Sequence, residues 1–167
     1  PAYLDRWDYL ISELKKEGIY IHLVIFSFHL YTKENSSAFE DRTRHKLMMY
    51  LNGKWEMDRF RYAVNTLFQH VNPYTGIAWK DDPAIAWVEY YNEQSLGLGG
   101  RMFSVLQKNP VIREHLLRCW HGWLEKKYGK SMQKAEIPTS AGEKLSNDFA
   151  LFWMDQAKES ALRCEKI

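Results

Sequence analysis

The chain has 167 residues, 46% hydrophobic and 26% charged, a composition that excludes a disordered tail and fits one globular domain. Lys and Arg number 23 against 21 Asp and Glu, a net charge of +2 without a basic block, so the electrostatic signature of nucleic-acid or membrane-surface binding is missing. No apolar run reaches the roughly 18 residues expected of a transmembrane helix.

Leu4, Trp7, Leu10, Ile11 and Leu14 recur at spacings of three and four, with Asp5, Asp8, Glu13, Lys15 and Lys16 on the opposite face. This predicts an amphipathic helix over residues 4–17, stopped by Gly18. Ile19 to Phe28 is β-branched, aromatic and almost continuously apolar, the pattern of a strand buried on both faces in a parallel sheet. The stretch from His29 to Gly53 reads as a long polar connection, a length that points to a functional loop. A second helix is expected from about Trp55 to His70, on Met57, Phe60, Val64, Leu67 and Phe68.

Asn72-Pro-Tyr-Thr-Gly76 and Asp81-Asp82-Pro83 are turn chemistry, and Ala84 to Tyr91 reads as a second strand. Asn109-Pro110 caps and opens a third helix, with Leu116, Leu117, Trp120, Leu124 and Tyr128 on one stripe and Gly129 at its end. Residues 130–146 are loop-like, and a last helix runs from about Asn147 to Cys164 with Phe149, Phe152, Trp153 and Ala157 inward. Cys119 and Cys164 fall in helical stretches without Cys-x-x-Cys spacing and read as small buried hydrophobes. Strands alternating with helices predict βα units and a parallel sheet, yet two strands alone close neither edge nor cover both faces.

The sharpest chemical feature is Asn92-Glu93 at the carboxyl end of the second strand. Active sites of parallel α/β folds lie at that end of the sheet. A carboxylic acid walled by aromatics there has a raised pKa and suits general acid catalysis, and an adjacent Asn suits a hydrogen bond to a substrate hydroxyl. Side-chain alternation puts Asn92 and Glu93 on opposite faces unless the strand ends or bulges between them. Glu89 shares the parity of Glu93 and, pointing into an interior, needs a hydrogen-bonded partner. His22 lies mid-strand and is read as a satisfied buried imidazole, whereas His29, just past the first strand, is read equally as a residue lining a subsite or as a plain loop histidine. Trp79, Tyr74 and Tyr91 offer rings for stacking on a ligand, with core packing as the default role of each.

The stretch from Asn72 to Glu93, Asn-Pro-Tyr-Thr-Gly, then Asp-Pro, then an apolar strand ending in Asn-Glu, resembles the fourth-strand region of the retaining glycoside hydrolases of clan A, nearest the cellulase-like family 5 type. Leu4 to Tyr20 resembles that group's second helix leading into its third strand, and Trp120-His-Gly-Trp-Leu-Glu-Lys-Lys-Tyr-Gly129 resembles its helix after strand four. The resemblance covers most of residues 3–129. It implies an incomplete (β/α)8 TIM barrel, its central portion, since such a barrel typically needs about 250 residues. It also implies a partial catalytic domain over residues 1–167 that hydrolyses β-linked glycosides with net retention. By carry-over, Glu93 is the general acid/base, Asn92 contacts the 2-hydroxyl, and His29, Tyr91 and Trp79 are substrate-binding candidates.

A retaining enzyme needs a second carboxylate about 5 Å away as nucleophile, which in this clan ends strand seven. Nothing after Glu93 resembles that strand: Glu114, Glu125, Glu136, Glu143, Glu159 and Glu165 all fall in helical or loop stretches. The alternative is therefore a non-catalytic carbohydrate-binding or truncated relative. The implied partner is a carbohydrate, with no nucleic acid or membrane. No cofactor and no metal is implied, because two carboxylates suffice for the chemistry. Oligomeric state and localisation stay open, a secreted or periplasmic full-length protein being one option.

Overall fold

A computed structural model describes residues 2–26, 47–92, 108–140 and 142–167. The chain divides into two compact units, one over Pro1–Leu30 and Asp58–Gln94 with Ile167, the other over Tyr31–Met57 and Ser95–Lys166. The described elements are helix α1 (Ala2–Lys16), strand β1 (Ile21–Phe26), helix α2 (Lys54–Phe68), strand β2 (Ile85–Tyr91), helix α3 (Pro110–Tyr128) and helix α4 (Ser146–Glu165). No helix among the described residues is long and apolar enough to cross a membrane.

In the first unit, β1 and β2 pair in parallel, so the expected mixed α/β organisation with a parallel sheet is present. Gly18 (φ 70°) ends α1, with Ile19 N–H donating to the Leu14 carbonyl at 2.9 Å and Gly18 N–H to that of Lys15 at 3.1 Å. This paired closure needs a left-handed residue at the helix end, which glycine adopts without a Cβ penalty. The buried side of α1 differs from the predicted stripe. Asp8, Ile11 and Ser12 are buried, whereas Trp7 (52% exposed) and Leu10 (44%) face outward. A carboxylate displaces apolar side chains from the inner face because its hydrogen bonds are met there.

Register pairs His22 with Trp87, Leu23 with Val88, Val24 with Glu89 and Phe26 with Tyr91, after a bulge that leaves Ala86 unpaired between Ile85 and Trp87. One sheet face thus carries Leu23, Ile25, Val88 and Tyr90, and Ile25 is buried there. Phe60 of α2, wholly buried, meets Tyr90 edge-on at 6.0 Å. The other face carries His22, Val24, Trp87 and Glu89, and Trp87 is 72% exposed. The expectation of strands buried on both faces is corrected accordingly: Phe60 of α2 packs on one face, and the described residues leave the other open.

The second unit packs α3 and α4 around Ile112, Leu116, Trp120, Leu124, Phe149, Phe152 and Trp153. The Asn109 side chain caps α3 by accepting from Ile112 N–H at 3.1 Å, Pro110 opens it and Gly129 closes it, as the sequence predicts. Trp120 meets Phe149 and Phe152 edge-on at 5.2 and 5.5 Å, contacts worth about 0.5–1.5 kcal/mol each beyond burial. Tyr128, predicted inward, is instead 44% exposed and donates its hydroxyl to Asp148.

Reading residues 47–53 as part of a polar loop is also corrected. Residues 47–50 are helical, and Leu47, Met49, Tyr50 and Leu51 are buried. This helical stretch ends on Asn52 (φ 56°), and its last carbonyls are met by side chains of the two long helices. Ser160 Oγ donates to Met49, Arg163 Nη2 to Tyr50 at 2.7 Å, and His115 Nε2 bonds the Leu51 carbonyl at 2.9 Å. Burial holds the Tyr50 phenol up at about 12 and pushes both the Cys119 and Cys164 thiols above their ordinary value, Cys164 buried and Cys119 partly so.

Between α3 and α4, Glu143 accepts hydrogen bonds from the Thr139 backbone N–H, the Thr139 hydroxyl and the Ser140 hydroxyl. These three donors hold its carboxyl down at about 2. A depressed carboxylate stabilises the turn above its ordinary value of 4.5, and that contribution disappears as pH falls through about 2. An NMR titration should therefore show the Thr139 amide shifting with a midpoint near 2; a midpoint near 4.5 would mean that the carboxylate is not held there.

Candidate functional site

The candidate site begins where β2 ends. Tyr91, opposite Phe26 in register, is the last strand residue, and Asn92 follows in a bend, half-buried. The strand thus stops before Asn92, which removes the alternation that would force Asn92 and its successor to opposite faces. Glu93 and His29 lie outside the described residues.

Upstream on the open sheet face, Glu89 has the partner that its position demands. His22 Nε2 sits 3.3 Å from Glu89 Oε2, diagonally across the two strands. The pair serves Glu89 as a structural contact. His22 itself is half-exposed, not the buried imidazole expected from its place in an apolar run.

Trp79 does not line this site. It is 3% exposed, in the 3-10 turn Trp79–Asp81, and its indole N–H donates to Asp8 Oδ1 at 2.9 Å. Both the burial and the bond fix it as a packing residue, so its assignment to substrate stacking is corrected. Tyr74, by contrast, is half-exposed.

Asp8 is the centre of a network that the sequence does not reveal. Its Oδ2 lies 2.7 Å from His70 Nε2, its Oδ1 takes the Trp79 indole, and its backbone carbonyl takes Asn72 Nδ2 at 2.9 Å. Asp8 and Asn72 are both buried. Helix periodicity assigned Asp8 to the solvent face. The available signal was the co-occurrence of His70, Asn72 and Trp79 in one turn, which close a small hairpin by Trp79 N–H to His70 carbonyl and Asn72 N–H to Ile77 carbonyl. The network ties α1 to that hairpin. Asp82 adds a second tie, accepting from Lys15 Nζ at 2.8 Å and from Ala84 N–H at 2.9 Å. The hairpin and the turn after it are thereby fixed immediately ahead of β2, whose far end carries Asn92.

The described histidines of the second unit are tied to backbone: His115 to Leu51 and His121 to the Ala135 carbonyl at 2.8 Å. Among the described residues no group of three or more His, Cys, Asp or Glu is arranged to hold a metal ion. Glu114 and Glu125 lie on α3, Glu159 and Glu165 on α4, and Glu136 and Glu143 in the segment between them, so none of the six follows a strand. Comparison with family models, with curated proteins and with solved structures finds no match to this chain.

Proposed function

We propose that the chain is the central portion of a retaining glycoside hydrolase built on a (β/α)8 barrel. It would cleave O-glycosidic bonds of a β-linked oligo- or polysaccharide. Glu93 would protonate the leaving oxygen and then activate water, Asn92 would hold the 2-hydroxyl, and a nucleophilic Glu would come from a strand outside residues 1–167. The observation that supports this most is the bend at Asn92 directly after a parallel strand, which sets Asn92 at the sheet's carboxyl end. The sequence resemblance supports it independently.

The test is stereochemical. The full-length protein that carries this chain is incubated with a β-linked oligosaccharide, and proton NMR follows the first anomer released. Retention is expected, because two displacements at one carbon restore configuration. First release of the α anomer, or no hydrolysis of any β-linked glycan, overturns the proposal.

A second reading, a non-catalytic relative that only binds carbohydrate, is favoured by one observation: every Glu after Glu93 lies on a helix or in the segment between α3 and α4. Robust hydrolysis by the 167-residue chain alone would exclude it.

A further inference from the structure

Of the three rings that the sequence offered for sugar stacking, Trp79 is buried and Tyr74 is exposed on a rigid mount. The Tyr74 backbone N–H donates to Asn72 Oδ1 at 2.9 Å, and Asn72, wholly buried, is itself pinned to Asp8. The Tyr74 hydroxyl donates to Asp5 Oδ1 at 2.9 Å, a bond that holds the phenol above its ordinary pKa and keeps it protonated as a donor. Tyr9, one helical turn from Asp5 on α1, meets Tyr74 edge-to-face, with centroids 5.5 Å apart and planes at 72°. Tyr9 and Tyr74 are 53% and 50% exposed.

From this arrangement we propose that Tyr9, Tyr74 and Asp5 form an accessory glycan-binding platform, separate from the strand-end site. The proposal rests on the glycoside hydrolase reading for the class of its ligand. A pyranose presents an apolar C–H face and a rim of hydroxyls. Two rings set nearly at right angles offer a ring face to the first, and the second oxygen of the Asp5 carboxylate is an acceptor for the second. Scale favours a sugar over a protein. Two half-exposed tyrosines present on the order of 100 Å² each, far below the roughly 800 Å² per partner of a stable protein interface. The mount matters as well. Asn72 and Asp5 already fix the Tyr74 ring, so binding orders little that is not ordered beforehand. The platform stands on α1 and on the hairpin that precedes β2, whereas Asn92 follows β2, and it uses neither the strand end nor the open sheet face.

The experiment is native gel electrophoresis of the 167-residue chain, with mixed-linkage β-glucan, xylan or glucomannan cast into the gel and dextran as the α-linked control. Retardation by at least one β-linked glycan and not by dextran is expected. Tyr9→Ala and Tyr74→Ala should each weaken it about tenfold, the scale of one lost stacking contact. Tyr74→Phe, which keeps the ring and loses the bond to Asp5, should stay within about threefold of the parent. Circular dichroism checks folding, and Tyr9→Leu, which keeps bulk without a flat ring, replaces any alanine variant that fails to fold. Equal retardation of parent and ring variants, or no retardation of the parent in any of the three glycans, overturns the platform. The hydrolase reading fails separately. If Glu93→Gln abolishes hydrolysis by the full-length protein while the ring variants bind normally, only the platform is lost. If Glu93→Gln changes nothing while gel retardation depends on the rings, only the catalytic assignment is lost.

Discussion

Glu93→Gln in the full-length protein is expected to lower hydrolysis of natural β-linked glycans by about 10²–10⁴-fold, the usual contribution of a positioned general acid. Glutamine keeps the shape of the side chain and its hydrogen-bonding oxygen but has no proton to give to a departing alkoxide. The loss should depend on the leaving group. An aryl glycoside whose phenolate departs unprotonated bypasses the first role, so formation of the glycosyl-enzyme intermediate should be nearly normal. Its breakdown still needs a base to activate water, so the intermediate should accumulate and a burst should precede slow turnover. Added azide, a nucleophile that needs no base, should restore turnover and release a β-glycosyl azide. Equal slowing of the first, intermediate-forming step on both substrate types, or no loss on either, would remove Glu93 from the acid/base role.

The second large effect concerns stability. Asp8→Ala deletes the acceptor shared by His70 and the Trp79 indole and leaves a buried donor unpaired. Leaving a buried donor without its acceptor costs up to about 3 kcal/mol. Hydrogen exchange of the β2 amides, which this network supports from the hairpin side, should then quicken on the order of 100-fold. Asp8→Asn is the informative companion. Its side-chain oxygen still accepts from Trp79, and its amide keeps a polar group facing the His70 ring nitrogen. It should recover more than half of the loss. Exchange rates that stay at the parental level in Asp8→Ala would show that the network is incidental to the first unit's stability.

What the sequence made legible were features with local causes. Asn109, Pro110 and Gly129 bound α3 because capping and left-handed closure act within one turn of the chain. The parallel pairing of β1 and β2 followed from strands separated by a helix. Contacts between distant residues stayed hidden. Asp8 is 62 residues from His70 and looks, on a helical wheel, like any solvent-facing acid. Trp79 looks the same whether it stacks on a ligand or donates to a buried carboxylate. Leu47-Met-Met-Tyr-Leu51 was absorbed into a polar stretch because the run is too short to show a period, and its burial depends on Ser160 and Arg163, more than 100 residues away. For the candidate site, the strand end was legible to the residue, since β2 stops at Tyr91.

The unpaired Ala86 sets the phase of the strand that leads to the candidate site. Because side chains alternate, one extra residue exchanges the two faces for everything downstream. With Ala86 bulged, Trp87 and Glu89 share a face with His22; in an unbulged ladder they would turn toward Ile25 and the helices, and Glu89 would lose its partner. A substitution at residue 86 leaves this phase intact, whereas a deletion there inverts it. The small side chain at residue 86 therefore acts as a spacer, aiming the end of the strand by its presence and not by its chemistry.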